Sequence, residues 1–124
     1  MIHGVGIDLI DERRLGPLDD PQDPFITKVY TQAEQAQALA SQYPRRYYAE
    51  RFAAKEALFK ALRISGDGVH LSEIETLNGE HGAPFIQLYG SLEQRARELG
   101  ITAIHVSLSN DSPYSTAFVV CEKE

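Results

Sequence analysis

The sequence predicts an α+β fold in which a long helix packs on an antiparallel sheet. Apolar residues recur at helical spacing within 45–63, and short alternating runs separated by turn residues occupy much of 74–121. The long helices therefore come first, and most of the strands follow residue 70. The length of 124 residues suits one hydrophobic core, so we expect 1–124 to form a single domain.

The first half of the chain is predicted to begin with a strand and to contain the longest helices. Its elements are a strand, a short helix, a loop and two longer helices, in the order 2–10, 11–15, 16–24, 32–41 and 45–63. The loop contains three prolines and three aspartates, which interrupt regular structure. Thr31 and Glu34 form a capping box before the first long helix, and Pro44 suits the start of the second.

The second half is predicted to contain two hairpins that flank a helix. Its strands pair as 74–77 with 85–89 and as 103–108 with 117–121, after a glycine-containing loop at 65–70. Ser91 and Gln94 form a second capping box, and Gly100 stands where a glycine often ends a helix. We therefore expect a helix between Ser91 and Gly100.

The charge of the chain is distributed unevenly. The formal net charge is −6, from 12 basic and 18 acidic residues. Most of the basic residues precede residue 64, where acids balance them, and the second half carries the negative excess. A chain of this charge is unsuited to general nucleic-acid binding. An anionic ligand would bind the first half, although the same charges also suit an ordinary solvated surface.

The remaining composition points to a cytoplasmic protein. Cys121 is the single cysteine, so no disulfide forms within the chain, which fits a reducing compartment. No run of about 18 apolar residues occurs, so we expect no membrane span. The segment 1–11 resembles a strand and lacks the features of a signal peptide.

Asp8 lies within an otherwise apolar run at the end of the first predicted strand. A partly buried carboxylate needs a charged partner or a metal ion. The alternative is that Asp8 only caps the helix that follows.

Glu56 and Lys60 lie one helical turn apart in the second long helix. A spacing of four places them with Phe52 on one stripe, and Lys55 lies beside it. A carboxylate and an ammonium in this arrangement can hold a divalent cation and a phosphate side by side, and oxygen ligands suit magnesium. The alternative is a surface ion pair worth only about 0.2–0.5 kcal/mol.

A third candidate segment is His-Val-Ser-Leu-Ser at 105–109. Strand alternation places His105, Ser107 and Ser109 on one face and the two apolar residues on the other. A row of polar groups can bind a phosphate, although antiparallel strands commonly have one solvated face.

Together these segments resemble the holo-acyl-carrier-protein synthases. The resemblance rests on Gly6-Ile7-Asp8, on Arg-Phe-Ala-Ala-Lys-Glu-Ala at 51–57 followed by Lys60-Ala61, and on 105–109. The order and separation of these segments and the length of the chain match the single-domain members of the family. The resemblance covers the whole chain and is weakest in the loop 16–24.

The resemblance implies an enzyme with the 4′-phosphopantetheinyl transferase fold. Such an enzyme moves the phosphopantetheine arm of coenzyme A onto a serine of an apo-acyl carrier protein, for fatty-acid biosynthesis, and releases adenosine 3′,5′-bisphosphate. The resemblance further implies a homotrimer with active sites between subunits. It implies that Asp8 and Glu56 ligate Mg²⁺ and that Lys60 contacts the coenzyme A phosphates. Glu56, or a metal-bound water beside it, is the candidate base for the serine hydroxyl.

The candidate residues fall into three groups. The catalytic candidates are Asp8, Glu56 and Lys60. The candidate coenzyme A-binding residues are Arg51, Lys55, Lys60, Gly66, Ser109 and Asn110. The candidate contacts for the acidic carrier protein are Arg13 and Arg14, on the first short helix.

Two positions depart from the pattern of the family. Asn110 stands where members usually have a histidine that helps to hold the 3′-phosphate of the coenzyme. An asparagine donates a hydrogen bond but carries no charge, so we expect Arg51 to bear more of that contact. The segment 62–68 replaces a shorter glycine-threonine turn, which leaves the contacts of this loop open.

Two other functions fit parts of the sequence. In a Mg²⁺-dependent nucleotide pyrophosphohydrolase, Asp8 and Glu56 would activate water, and no carrier protein would be involved. In a non-catalytic interaction protein, 45–63 would be an assembly helix and Glu56–Lys60 a surface pair. Neither alternative predicts that the three segments occur together in this order.

Overall fold

The computed structural model describes residues 1–124. Its strands are β1 (Ile2–Asp11), β2 (Ile74–Asn78), β3 (Pro84–Leu88), β4 (Ile101–Asp111) and β5 (Tyr114–Lys123). Its helices are α1 (Pro24–Val29), α2 (Gln32–Ala40), α3 (Pro44–Leu62) and α4 (Gly90–Glu98), with single 3₁₀ turns at Glu12–Arg14, Leu71–Glu73 and Glu80–Gly82. The predicted α+β class is confirmed.

The strands form one three-stranded sheet and one separate hairpin. The larger sheet is antiparallel in the order β1-β5-β4, so that β5 is the central strand. The hairpin pairs β2 with β3. In the larger sheet Ala117 lies opposite both Asp8 and Leu108, which places these three residues in one row across the strands. Ala117 is fully buried, so this row faces the core.

Helix α3 packs very closely against the larger sheet. Five alanines, at 49, 53, 54, 57 and 61, give it a narrow and fully buried face. The glycines of β1 allow the approach: a Cβ on Gly4 would lie 2.2 Å from the carbonyl oxygen of Ala61, and a Cβ on Gly6 would lie 2.0 Å from that of Ala57. Any larger residue would clash there, so the glycines bring Asp8 close to the helix.

The core has two parts. The main part lies between α3, the larger sheet and α4, and the smaller part lies under α1, α2 and the beginning of α3. The largest apolar side chains that are fully buried in the main part are Leu58, Leu62, Ile74 and Leu92. Burial of each such side chain contributes about 1.5–3 kcal/mol. The main part therefore fixes α3 on the sheet.

The N-terminal predictions are largely confirmed, with two differences. The capping box of Thr31 and Glu34 is present and begins α2, and α3 begins at Pro44. The predicted short helix at 11–15 is only a 3₁₀ turn. Helix α1 was not predicted, and it begins at Pro24, inside the predicted loop, because the side chain of Asp23 caps it by accepting from the Phe25 N–H at 2.9 Å.

The predicted capping box of Ser91 and Gln94 is wrong. Helix α4 begins at Gly90, so its N-cap is Tyr89, two residues before the predicted Ser91, and Tyr89 makes no side-chain capping bond. The cap is supplied from another part of the chain, because the carboxylate of Glu73 accepts from the Ser91 N–H at 2.8 Å and from the Ser91 hydroxyl at 2.9 Å. Local spacing cannot reveal a cap that is distant in sequence.

None of the helices combines the length and the apolar character that crossing a bilayer requires.

Candidate active site

Asp8, Glu56 and Lys60 come together at the edge of the molecule where β1 crosses α3. The ammonium of Lys60 donates to the backbone carbonyl of Ile7 at 2.8 Å and to Oδ1 of Asp8 at 3.4 Å. The Asp8 side chain is mostly buried, whereas that of Lys60 is 56% exposed. One end of this group is therefore shielded from water, and the other end is open to a ligand.

Glu56 completes the group from the same side of α3. Partial burial raises its pKa, the negative charge of Asp8 raises it further, and the ammonium of Lys60 acts in the opposite direction. Two carboxylates that repel each other beside one ammonium form a site that gains from another cation. They also make Glu56 a better proton acceptor than an ordinary surface glutamate.

The two carboxylates fit a magnesium ion that is shared with a substrate. Oδ2 of Asp8 is buried and has no hydrogen-bond partner, and a buried carboxylate oxygen normally has one. The chain contains no cluster of three or more acidic, histidine or cysteine residues arranged for a metal. Magnesium often takes only one or two protein carboxylates and fills its other positions with water and phosphate oxygens. Asp8 and Glu56 therefore suit such an ion.

A cavity of about 390 Å³ lies on the other side of α3, against β4 and the hairpin. Residues from α3, from Asn78 at the end of β2, from the following turn and from β4 line it. The side chain of Arg51 is only 2% exposed, and it forms part of the wall. Its guanidinium lies 3.8 Å from the ring centroid of Tyr47. Ser107 lines the same cavity from β4.

Glu50 introduces a negative charge into this cavity. Its Oε1 lies 3.9 Å from Nη1 of Arg51, and its Oε2 accepts from the Asn110 amide at 3.3 Å. Arg51 and Asn110 are both candidate contacts of the 3′-phosphate. The Glu50 carboxylate would therefore repel an incoming phosphate.

The polar row on β4 is arranged as the alternation predicts. His105, Ser107 and Ser109 are exposed, and Val106 and Leu108 pack against the core. Nε2 of His105 lies 2.5 Å from Glu122 on β5, so its nearest partner is a carboxylate of the same chain. Gly66 is exposed in its loop, with the ring of Phe59 as its nearest neighbour.

Lys55 does not belong to this site, contrary to the prediction that it binds coenzyme A. Its side chain and that of Glu34 are fully buried, and Nζ of Lys55 lies 2.8 Å from Oε1 of Glu34. The ammonium also donates to the carbonyl of Leu71 at 3.1 Å and to that of Ile74. Burial lowers the pKa of Lys55, and Glu34 acts against that shift. All three donor positions are occupied, so none remains for a phosphate.

Helix α3 therefore carries two charged stripes. The inner stripe, Arg51 and Lys55, faces β2, and the outer stripe, Glu56 and Lys60, faces β1. Residues five positions apart on a helix are separated by about 140°. The stripes consequently point in different directions, and only the outer stripe meets Asp8.

Arg13 and Arg14 have different surroundings on the 3₁₀ turn. The Arg13 guanidinium donates to both carboxylate oxygens of Asp11, at 3.0 and 2.8 Å. This pairing holds the pKa of Asp11 at about 2. Arg14 makes no ion pair and lies at the rim of a second cavity, of about 460 Å³, whose apolar wall includes Leu15 and Tyr114. Arg14 is the freer of the two to meet a partner.

A model of the 4′-phosphopantetheinyl transferase superfamily matches residues 4–119. The chain belongs to this superfamily. The matched span includes the three catalytic candidates, Asp8, Glu56 and Lys60. The resemblance found in the sequence is thereby confirmed.

Similar proteins support the same family membership over nearly the full length. The holo-[acyl-carrier-protein] synthase of Paramagnetospirillum magneticum is 43% identical and is matched over 100% of this chain and 98% of its own. That of Syntrophus aciditrophicus is 40% identical, over 98% and 97%. The crystal structure of the synthase from Neisseria meningitidis superposes with a TM-score of 0.89 at 31% identity, over 99% of this chain and 100% of that one.

Solved structures that resemble this chain include complexes with coenzyme A. The ACPS–CoA complex of Chronobacterium ammoniagenes superposes with a TM-score of 0.84 and 28% identity over 98% of this chain and 97% of that one. The transferase fold predicted from the resemblance is confirmed by these superpositions.

Several residues of the site were not singled out from the sequence of this transferase. Glu50 was visible only as one acid beside Arg51, and Asn78 only as a turn residue. Glu34 was identified as half of a capping box, and its second role with Lys55 depends on a contact 21 residues away. A charged residue that a fold buries has no distinct signal in a single sequence.

Proposed function

We propose that this chain transfers the 4′-phosphopantetheine group of coenzyme A to a serine of an apo-acyl carrier protein and releases adenosine 3′,5′-bisphosphate. The observation that carries the proposal is the meeting of Asp8, Glu56 and Lys60 at one edge of a 4′-phosphopantetheinyl transferase fold. The similar proteins named above are synthases of this kind. Charged groups of both signs are what phosphoryl transfer needs at one point.

Lys60 is proposed to bind the phosphates of coenzyme A. Transfer breaks the pyrophosphate linkage, so negative charge develops on the phosphoryl oxygens and on the departing bisphosphate. The Lys60 side chain is half-exposed and its ammonium is held by the carbonyl of Ile7, so it can neutralise that charge without reorganisation. The same contact holds the side chain toward β1.

Glu56 is proposed to accept the proton of the carrier serine. Its pKa is raised by partial burial and by the charge of Asp8, which makes it a stronger base than an isolated glutamate. Deprotonation makes the serine oxygen nucleophilic as it approaches the phosphorus atom.

Asp8 and Glu56 are proposed to hold Mg²⁺. A magnesium ion supplies charge neutralisation and alignment of the phosphoryl group. The support for this site is the unpartnered buried oxygen of Asp8 and the repulsion between the two carboxylates. Without a cation, this repulsion has only Lys60 to offset it.

Arg51 is proposed to contact the 3′-phosphate of coenzyme A from the wall of the 390 Å³ cavity. The proposal rests on Nη1, which makes no hydrogen bond within the chain and lies 3.9 Å from Oε1 of Glu50. Asn110 adds a neutral donor at the same place. Ser109 and Gly66 are exposed and remain proposed contacts of the coenzyme.

The proposed functional form is a homotrimer with active sites between subunits. The outer face of the larger sheet is polar along β4 but apolar and exposed along β1 and at Phe118 of β5, and such a patch is unusual for a monomer. Its exposed apolar side chains are Val5 (53%), Ile7 (60%), Leu9 (66%) and Phe118 (44%). The cavity is lined by no residue of the Asp8–Glu56–Lys60 group, so the two halves of the proposed site lie apart within one chain. A neighbouring copy on the apolar face would unite them.

Light scattering tests this assembly. We expect a trimeric mass for the wild-type protein, and for Phe118→Asp a monomeric mass with loss of transfer. An active monomer would contradict the proposal.

Arg14 is proposed to dock the acidic carrier protein, with Arg13 in a lesser role because Asp11 already neutralises it. Arg14→Glu should raise the KM for the carrier about tenfold and leave the KM for coenzyme A unchanged, since charge reversal at a rim acts mainly on association. Arg95→Glu, an exposed change on α4, is the control. Equal KM values for the two variants would remove Arg14 from the docking surface.

Intact-mass analysis of an apo-acyl carrier protein tests the transfer itself. The carrier is incubated with this protein, coenzyme A and Mg²⁺, with and without a chelator. We expect a metal-dependent gain of one phosphopantetheine group and release of adenosine 3′,5′-bisphosphate. Free phosphopantetheine without modified carrier would show a hydrolase instead. Unchanged coenzyme A with several carriers would favour a non-catalytic interaction protein.

A further inference from the structure

We propose that Asn78, held by Gln37, is a positioning residue that aims Arg51 at the 3′-phosphate of coenzyme A. This inference rests on the proposed function and concerns a residue that touches no reacting atom. Asn78 is the last residue of β2 and lies beside the cavity that Arg51 lines.

The guanidinium of Arg51 is fixed on three sides. Its Nε donates to the carbonyl of Thr76 at 3.2 Å, and its Nη2 donates to Oδ1 of Asn78 at 2.5 Å. One face stacks on the ring of Tyr47. A planar guanidinium with two fixed edges has a single free direction for its remaining group, and that group is Nη1.

Asn78 is itself held firmly through its backbone. The Asn78 N–H donates to Oε1 of Gln37 at 3.0 Å, and Nε2 of Gln37 donates to the Asn78 carbonyl at 3.2 Å. The same Oε1 accepts from the Tyr47 hydroxyl at 2.7 Å. Gln37 therefore holds the backbone of Asn78 and the side chain of Tyr47, the two residues whose side chains contact Arg51.

A structural role alone does not explain the side chain of Asn78. The hydrogen bonds that attach Asn78 to α2 use its backbone, and the strand pairing with Pro84 also involves the backbone. The side chain makes one hydrogen bond in the protein, to Arg51. Removal of the side chain should therefore change the direction of Arg51 and leave the hairpin in place.

Binding calorimetry on the full-length protein with Mg²⁺ tests this inference without depending on transfer. The two ligands are coenzyme A and dephospho-coenzyme A, which differ only in the 3′-phosphate. Asn78→Ala should weaken binding of coenzyme A about two- to tenfold, the range for loss of one hydrogen bond, and leave dephospho-coenzyme A unchanged. Gln87→Ala, an exposed amide on β3, is the matched control and should change neither.

A double-mutant cycle distinguishes positioning from an independent effect. If Asn78 acts through Arg51, adding Asn78→Ala to Arg51→Ala should weaken coenzyme A no further. Full additivity of the two losses would overturn the inference, as would equal weakening of both ligands by Asn78→Ala. If Asn78→Ala does not fold, Gln37→Ala replaces it, with a loss in the same direction that is likewise confined to coenzyme A.

The outcomes separate this inference from the proposed function. If the wild-type protein modifies the carrier but Asn78→Ala leaves the affinity for coenzyme A unchanged, only the positioning role is overturned. A wild-type protein that leaves the carrier unmodified overturns the proposed transfer, whatever calorimetry gives for Asn78.

Discussion

The two charged stripes of α3 contain the same kinds of residue in opposite environments. Lys55, on the inner stripe, is fully buried and makes three contacts with oxygen atoms of the chain. Lys60, on the outer stripe, is more than half exposed and contacts Ile7 and Asp8. Only the direction in which each points from the helix separates them. Lys55 is therefore expected to stabilise the fold, and Lys60 is expected to bind a ligand.

Arg51 is intermediate between these two cases. It shares the inner stripe with Lys55 and is almost as deeply buried, yet it lines the cavity and its Nη1 makes no hydrogen bond. Burial of the rest of the side chain gives that one group a fixed direction, which is an advantage for binding a phosphate. Within the inner stripe, Lys55 thus has a structural role, and Arg51, one helical turn earlier, is expected to bind the ligand.

The largest expected effect tests the outer stripe. Glu56→Gln should lower the rate constant for transfer at least about 100-fold, because the amide neither accepts the serine proton nor binds a cation as a carboxylate does. Its free energy of unfolding should stay close to that of the wild type, since the change removes a repulsion with Asp8. The measurement is the rate of bisphosphate release, with Glu98→Gln as the control. An unchanged rate constant would exclude Glu56 from the mechanism.

A change between the helix and β1 should affect fold and activity together. In Gly6→Ala the added Cβ would lie 2.0 Å from the carbonyl oxygen of Ala57, so β1 must move away from α3 and take Asp8 with it. We expect a loss of about 1–3 kcal/mol in the free energy of unfolding, as for overpacked sites, and a lower transfer rate. Gly66→Ala has only ordinary contacts and serves as the control for urea denaturation. A stable and active Gly6→Ala protein would mean that the spacing of β1 and α3 does not matter.

The smallest expected effect concerns the acid beside Arg51. Glu50→Gln removes the charge but keeps an oxygen that can accept from Asn110. We expect the KM for coenzyme A to fall about two- to fivefold, in line with weak, partly exposed ion pairs, and the KM for dephospho-coenzyme A to change less. Steady-state kinetics with both substrates checks this. A KM for coenzyme A that rises would show that Glu50 orients Arg51 instead of opposing the phosphate.

The sequence predicted the outer stripe better than the inner one for a physical reason. Glu56 and Lys60 are four residues apart, and helical spacing alone places them together. The structure shows why Asp8 joins them, since the glycines that precede it allow the strand to approach the helix. Helical spacing therefore placed Glu56 beside Lys60, and the resemblance to the family added Asp8 to them.

The inner stripe could not be predicted in the same way. Lys55 directly precedes Glu56, and nothing in the local pattern indicates that one is buried and the other is not. The difference arises from the docking of α2 and β2, which supply Glu34 and the carbonyl of Ile74. The cap of α4 by Glu73 was missed for the same reason. Contacts between distant segments decide these roles.

The most direct test of this account compares Lys55→Ala with Lys60→Ala in two measurements, the free energy of unfolding in urea and the rate constant for transfer. Lys55→Ala should lose about 3–5 kcal/mol of stability, because it leaves Glu34 buried without its partner. Lys60→Ala should lose no more than about 1 kcal/mol, as an exposed pair does, while its transfer rate falls at least about 100-fold. The reverse pattern, with a destabilised Lys60→Ala and a stable but inactive Lys55→Ala, would contradict the division of α3 into a structural and a catalytic stripe.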